Sequence, residues 1–161
     1  MRILLSAALL FPIAAKADTA ESMFTCTFRG GDKVVQVYTV GELAGYAYGP
    51  QHGNPEMSLV QHALDVDLQP WSGIGRYESE SVTFLNVDTT YTVWWSVDKM
   101  DMSGVAEGGI TVAQGDNVLA ELTCDAGSVE TNTFYALHDL REDLGLRWCI
   151  TSQTWAANCK G

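Results

Sequence analysis

The sequence predicts a mainly β protein: a small antiparallel β-barrel or sandwich with one C-terminal helix and a disulfide-closed tail. Three observations lead there. Short runs rich in β-branched and aromatic residues recur between Ser22 and Thr123, separated by Gly-, Asn- and Asp-bearing turns. After Cys124 the apolar spacing changes from two to about 3.6. Four cysteines come after an N-terminal leader, which reads as two disulfides.

The first strand spans residues 22–28. These alternate, with Phe24, Cys26 and Phe28 on one face and Met23, Thr25 and Thr27 on the other, so the strand turns its cysteine to the core. Arg29-Gly30-Gly31-Asp32 is a turn, and residues 33–40 are the hairpin partner. Gly41-Glu42 turns into a strand over 43–48, and Gly49 to Pro55 is a loop punctuated by Gly and Pro. Between Met57 and Leu68 the pattern is ambiguous; Leu64, Val66 and Leu68 alternate with polar residues as a strand does. Pro70 to Tyr77 is a loop or a glycine-broken edge. Residues 81–85 and 91–97 form the clearest hairpin, with Trp94 and Trp95 on opposite faces of their strand. Residues 110–113 and 118–123 form the last one, around Gln114-Gly115-Asp116-Asn117. That makes seven to nine strands.

Phe134, Leu137, Leu140 and Leu144 then fall on one helical face over residues 133–144. Thr131 or Asn132 is positioned to cap the start, and Gly145 sits where a left-handed residue ends a helix. The tail from Arg147 to Cys159 reads as irregular and closed by a disulfide.

The address of the chain comes from its first residues. Met1-Arg2 is a short positive region, residues 3–15 are almost wholly apolar, and Ala15-Lys16-Ala17 is a small-x-small cleavage pattern. We read residues 1–17 as a signal peptide cut after Ala17, and residues 18–161 as one secreted or periplasmic domain. The apolar run is too short to span a bilayer, and Cys26 lacks the context of a lipoprotein cleavage site, so no membrane anchor is expected.

In that compartment Cys26, Cys124, Cys149 and Cys159 form disulfides. Cys26–Cys124 with Cys149–Cys159 is preferred; Cys26–Cys159 with Cys124–Cys149 is the rival pairing. The preferred bridge would join the first and last strands and favours a barrel. No C-x-x-C pair or cysteine–histidine cluster points to redox or zinc chemistry.

With 20 acidic and 9 basic residues the net charge is −11, and loss of Arg2 and Lys16 makes the mature chain more acidic still. Such a surface repels phosphate backbones and anionic headgroups, which argues against nucleic acid and membrane surfaces. A basic protein, a cation or a neutral ligand fits better, and a monomer is expected.

Catalytic patterns are weak. Trp71-Ser72-Gly73 is not a nucleophile elbow, and no spacing ties His52, His62 or His138 to Ser72. The pairs Glu78/Glu80 and Asp65/Asp67 read as solvent faces. Asp98, Asp101 and Glu107 lack calcium-loop spacing, no zinc motif occurs, and no glycine-rich phosphate loop or other cofactor motif is found. Aromatic residues are more informative. Trp71 follows Pro70 in a glycine-rich loop, close to Arg76 and Tyr77, and aromatic and arginine side chains anchor interfaces. Trp148 and Trp155 read as packing under the tail.

Gln69-Pro70-Trp71-Ser72-Gly73-Ile74-Gly75-Arg76 and Leu122-Thr123-Cys124-Asp125-Ala126-Gly127-Ser128-Val129 resemble segments of uncharacterised secreted proteobacterial proteins. More distantly, Phe24-Thr25-Cys26, Ser72-Gly73 and Arg76-Tyr77 resemble the motifs of periplasmic and membrane-bound inhibitors of C-type lysozyme. That resemblance implies an exported antiparallel barrel that binds a basic enzyme, with Ser72 entering the enzyme's cleft. The expectation is thus a non-enzymatic binding module that uses Trp71, Ser72, Arg76 and Tyr77. A small hydrolase using carboxylates and a structural envelope component are the alternatives.

Overall fold

The computed structural model describes residues 18–130 and 133–159. Four strands, β1 (Glu21–Phe28), β2 (Lys33–Val40), β3 (Leu43–Pro50) and β4 (Met57–His62), form one antiparallel meander. Five more, β5 (Asp67–Gln69), β6 (Tyr77–Asn86), β7 (Thr89–Asp98), β8 (Glu107–Gln114) and β9 (Asn117–Thr123), form a second. Helix α1 (Tyr135–Asp143) and a small hairpin, β10 (Arg147–Cys149) and β11 (Thr154–Ala156), complete the chain.

Alternation decides which faces meet. Cys26, Val35, Val37 and Tyr46 of the first sheet are buried against Val82, Phe84, Val93 and Ile110 of the second. The Tyr46 ring lies 5.8 Å from Phe84 and 5.7 Å from Tyr91, so the two sheets share one core. The predicted mainly β class with a C-terminal helix and a Cys149–Cys159 tail is therefore seen. So is the preferred disulfide pairing.

The barrel form is not. Among the described residues the sheets are separate, and a sandwich fits them. Cys26–Cys124 does tie the first strand to the residue after β9, but the segment beyond Cys124 covers the edge of β1 without a full ladder. Thr25 and Glu130 exchange both backbone hydrogen bonds, at 2.9 and 2.7 Å, as an isolated bridge. Asp125 donates its N–H to the Thr27 carbonyl at 2.8 Å. Its carboxylate accepts from the N–H groups of Gly30 and Gly31 and from the Thr27 hydroxyl, which pulls its pKa down. The β1–β2 turn is thereby fastened to the Cys124 seam.

Other expectations are corrected. The ambiguous stretch from Met57 to Leu68 divides in two, and the strand pattern from Leu64 to Leu68 is only partly realised: β4 ends at His62, residues 63–66 turn, and β5 starts at Asp67 in the other sheet. Of the alternating Leu64, Val66 and Leu68, only Val66 and Leu68 are buried; Leu64 is exposed in the turn, so the alternation does not mark one strand face there. The tail is not irregular, since Trp148 pairs with Trp155 across β10 and β11. With these strands the total among the described residues rises to eleven. Met23 is buried beside Phe24 because the register shifts between Ser22 and Phe24.

The helix is shorter than residues 133–144, and its proposed caps Thr131 and Asn132 lie outside the described residues, as does the signal segment 1–17. Its end is as expected. Gly145 takes φ 90°, its N–H reaches the Glu142 carbonyl, and the Leu146 N–H reaches that of Arg141, the paired bonds of a Schellman motif. Among the described residues no helix is long and apolar enough to cross a membrane.

Candidate functional site

Strand β5 is only three residues long and pairs with Ser81–Thr83 of β6. Beyond it the chain swings away at Pro70 and returns at Tyr77. The first part of β6, from Tyr77 to Glu80, therefore has β7 on one side and no strand on the other among the described residues. A cleft of about 450 Å³ fills this gap.

Because side chains alternate along a strand, the cleft straddles both faces of the sheet edge. Ser79, Ser81 and Trp94 line it from one face, Glu80 and Trp95 from the other. Trp94 is held flat by Gly109, where a Cβ would meet the indole at about 3.0 Å and the Leu122 carbonyl at 2.3 Å. Trp148 and Gln153 reach the cleft from the C-terminal hairpin.

That hairpin is anchored by Trp155. Its indole N–H donates to the Leu68 carbonyl at 2.8 Å. Its ring packs against Trp148 at 5.6 Å and His138 at 4.9 Å, with the Arg141 guanidinium 5.0 Å from its centre. Arg141, only 4 % exposed, donates to the carbonyls of Leu64 and Val66 at 3.2 and 2.8 Å. One buried arginine thus joins the helix, the sheet-switching turn and the tail.

The loop Pro70–Tyr77 forms the other wall. Trp71 and Ser72 are half-buried and Tyr77 is exposed; all three line the cleft. Lys99 lies over the Trp71 ring at 4.2 Å, a cation–π contact that pins the loop to the end of β7. Ser72 turns back and donates to the Ile74 carbonyl at 3.4 Å. Arg76 does not join the cleft lining. Its Nε donates to both Asp98 oxygens, at 2.8 and 2.9 Å, and the Lys99 N–H donates to the Arg76 carbonyl at 3.0 Å. The hydrogen-bonded pairing raises the Arg76 pKa and lowers that of Asp98. The loop's ends are clamped together by this pair.

Glu80 is the residue sequence reasoning misplaced. It is 9 % exposed, not on a solvent face. Its position shares the phase of Val82 and Phe84, and a charged residue at an inward position was the signal available. Burial pushes its carboxyl pKa up, and the nearby Glu78 charge adds to that. The Phe134 N–H, donating to Oε2 at 3.2 Å at the start of α1, pulls it partly back. The Trp95 indole N–H meets no acceptor in good hydrogen-bond geometry, yet lies near enough to favour the charged form. The Trp71 N–H is likewise buried without an acceptor. Trp148, read from sequence as tail packing, does pack on Trp155 and also lines the cleft, as do Ser79, Ser81, Trp94, Trp95 and Gln153, none of which the sequence assigned to the site. Asp65 and Asp67 are exposed as expected.

None of the three histidines lines the cleft. His138, Asp139 and Glu142 place potential ligand atoms within 4.8 Å of one another on the helix surface. Asp98 and Asp101 accept local hydrogen bonds, from Arg76 and Met100 and from Ser103 respectively.

No family model, curated protein or solved structure matches this chain. Function is then a matter of the chemistry of the cleft itself.

Proposed function

We propose that this chain is an exported, non-enzymatic binding module whose binding site is the cleft beneath the loop Pro70–Tyr77. The observation that carries the reading is the convergence of Trp71, Trp94, Trp95 and Trp148 on one open cleft with a buried carboxylate. Small-molecule sites combine aromatic walls with a few placed polar groups, at volumes of about 300–1,000 Å³. The Arg76–Asp98 clamp and the Lys99–Trp71 contact hold the loop in place before a ligand arrives, which lowers the ordering cost of binding. Two disulfides suit an extracytoplasmic setting.

The lysozyme-inhibitor version makes Ser72 a projecting element that enters a basic enzyme. Here Ser72 is half-buried in the cleft wall and hydrogen-bonded to its own loop, which supports a site that receives a ligand. Lysis of bacterial cells by C-type lysozyme is expected to be unaffected by the purified protein.

A hydrolase is the second reading, favoured by the raised pKa of Glu80, as a general acid requires. Glycosidase chemistry needs a second carboxylate facing the first, and among the described residues Glu80 is the only carboxylate that lines the cleft.

The test is a ligand-observed NMR screen of neutral, cationic and anionic small molecules at millimolar concentration. At least one hit should be lost in Trp71→Ala or Trp148→Ala with the far-UV spectrum unchanged. Hits that all survive both substitutions, or a screen without hits, would overturn the assignment. Turnover of a hit that Glu80→Gln abolishes would establish the hydrolase instead.

A further inference from the structure

We infer that the ligand of this cleft is a neutral oligosaccharide, with its pyranose rings stacked on Trp94 and Trp148 and its hydroxyls bonded to Glu80, Ser79 and Gln153. The inference rests on the binding-module reading and names its ligand class.

Complementarity selects the class. A pyranose has apolar C–H faces and a rim of hydroxyls that both donate and accept. The cleft supplies flat indole faces beside an acceptor carboxylate, hydroxyls and amides. An apolar ligand would leave those polar groups unpaired and desolvated. An anion would meet the Glu80 carboxylate inside a chain of net charge −11.

A cation is the stronger competitor, because aromatic cages with a carboxylate bind ammonium groups. Two features count against it. The Trp71 ring already has the Lys99 ammonium 4.2 Å from its centre. Glu80 already accepts the Phe134 N–H at the start of α1, so part of its charge is used within the fold.

An unmet donor points the same way. The N–H of Trp71, a lining residue, is buried without an acceptor. A cation offers no acceptor; a hydroxyl does. Trp71 could meet one after a small shift of its loop, where Gly73 and Gly75 take positive φ with open space around them. The cleft also runs along the part of the β6 edge that has no partner strand among the described residues, past exposed Ser79 and Tyr77, and so is open to a chain of rings.

The experiment titrates the purified, disulfide-bonded protein with cellotetraose, chitotetraose and maltotetraose, following tryptophan fluorescence. Tetramethylammonium chloride and a galacturonate tetramer are the charged controls. At least one neutral tetrasaccharide should bind with a millimolar or tighter Kd. Trp148→Ala should weaken it about tenfold or more. Exposed Ser79→Arg, which should block the cleft edge without disturbing the core, should weaken it comparably.

Failure of all three neutral sugars overturns the saccharide assignment, and so does binding of tetramethylammonium in their place; in the latter case the cleft remains the binding site. Sugar binding that Trp148→Ala and Ser79→Arg leave unchanged overturns the assignment to this cleft and the binding-site reading with it.

Discussion

The side-chain amide of Gln61 does for Leu85 what a neighbouring strand would do. Its Nε2 donates to the Leu85 carbonyl at 2.8 Å, and its Oε1 accepts the Leu85 N–H at 3.2 Å. Strand β5 ends its pairing at Thr83, so Leu85 would otherwise present both groups to solvent at the sheet edge. Gln61 sits on β4, and this pair of hydrogen bonds joins the two sheets at the seam opposite Cys26–Cys124. Gln61→Ala should therefore destabilise the protein by about 1 kcal/mol, two partly exposed hydrogen bonds being lost. Gln61→Glu should be worse at neutral pH than at pH 3, because a carboxylate cannot donate to the carbonyl. Urea denaturation at the two pH values checks both.

Glu80 and Asp125 should shape the pH dependence in opposite senses. Burial holds the Glu80 carboxyl above its usual range, so the native state keeps that proton after the unfolded chain has released it. Its stabilising contribution is complete below the unfolded value of about 4.3 and is lost as pH rises through the folded pKa. Glu80→Gln keeps an oxygen for the Phe134 N–H, so it should be at least as stable as wild type at pH 7 and lack the decline. For Asp125, bonds from Gly30, Thr27 and Gly31 hold the carboxyl down. Its contribution is present above the unfolded value of about 3.9 and disappears as pH falls through the folded pKa. Asp125→Asn should remove part of the acid limb. Denaturation midpoints from pH 3 to 8 separate the two.

What was legible in the sequence had local causes. The hairpins β1–β2, β6–β7 and β8–β9 are written in period-two alternation and turn residues, and Gly145 marks the helix end by a conformation that glycine adopts freely. What was missed depends on tertiary partners. The switch between sheets at residues 63–66 has no glycine or proline, and Leu64 and Val66 continue the alternation of Leu68 in β5 and so imitate a strand although Leu64 is exposed. Strands β10 and β11 are too short to show a period. Trp71, Ser72 and Tyr77, singled out from the composition of their loop, line the cleft. Arg76 lies outside that lining because it bonds Asp98, which stands beside Tyr77 only once β6 and β7 are in register.

Arg141 should be among the helix positions least tolerant of substitution. It is a buried cation with no acidic partner in salt-bridge contact among the described residues, held by two carbonyls and the Trp155 ring. Arg141→Ala strips the Leu64 and Val66 carbonyls of their donor and leaves Trp155 uncovered, which should cost about 3 kcal/mol. Arg141→Met retains the apolar stem but not the donors, and should recover only part of that loss. Because Trp155 carries the tail to the cleft, both variants should also shift the tryptophan emission spectrum. Unfolding monitored by fluorescence and by circular dichroism measures both effects.

The two disulfides should differ in what they protect. Cys26–Cys124 closes a sequence separation of 98 and fastens the first strand to the end of β9. Cys149–Cys159 closes one of 10 around the hairpin that delivers Trp148 and Gln153. Chain-entropy reasoning gives about 4–5 kcal/mol for the long bridge and about 3 kcal/mol for the short one. Replacing Cys26 and Cys124 by alanine should therefore cost more global stability than replacing Cys149 and Cys159. The effect on binding should be reversed. Without the short bridge the core stays paired, while Trp148 loses its fixed position over the cleft, so ligand affinity should fall further than stability does. Urea denaturation and sugar titration of the two double variants test the contrast; equal losses of stability would refute the loop-length account.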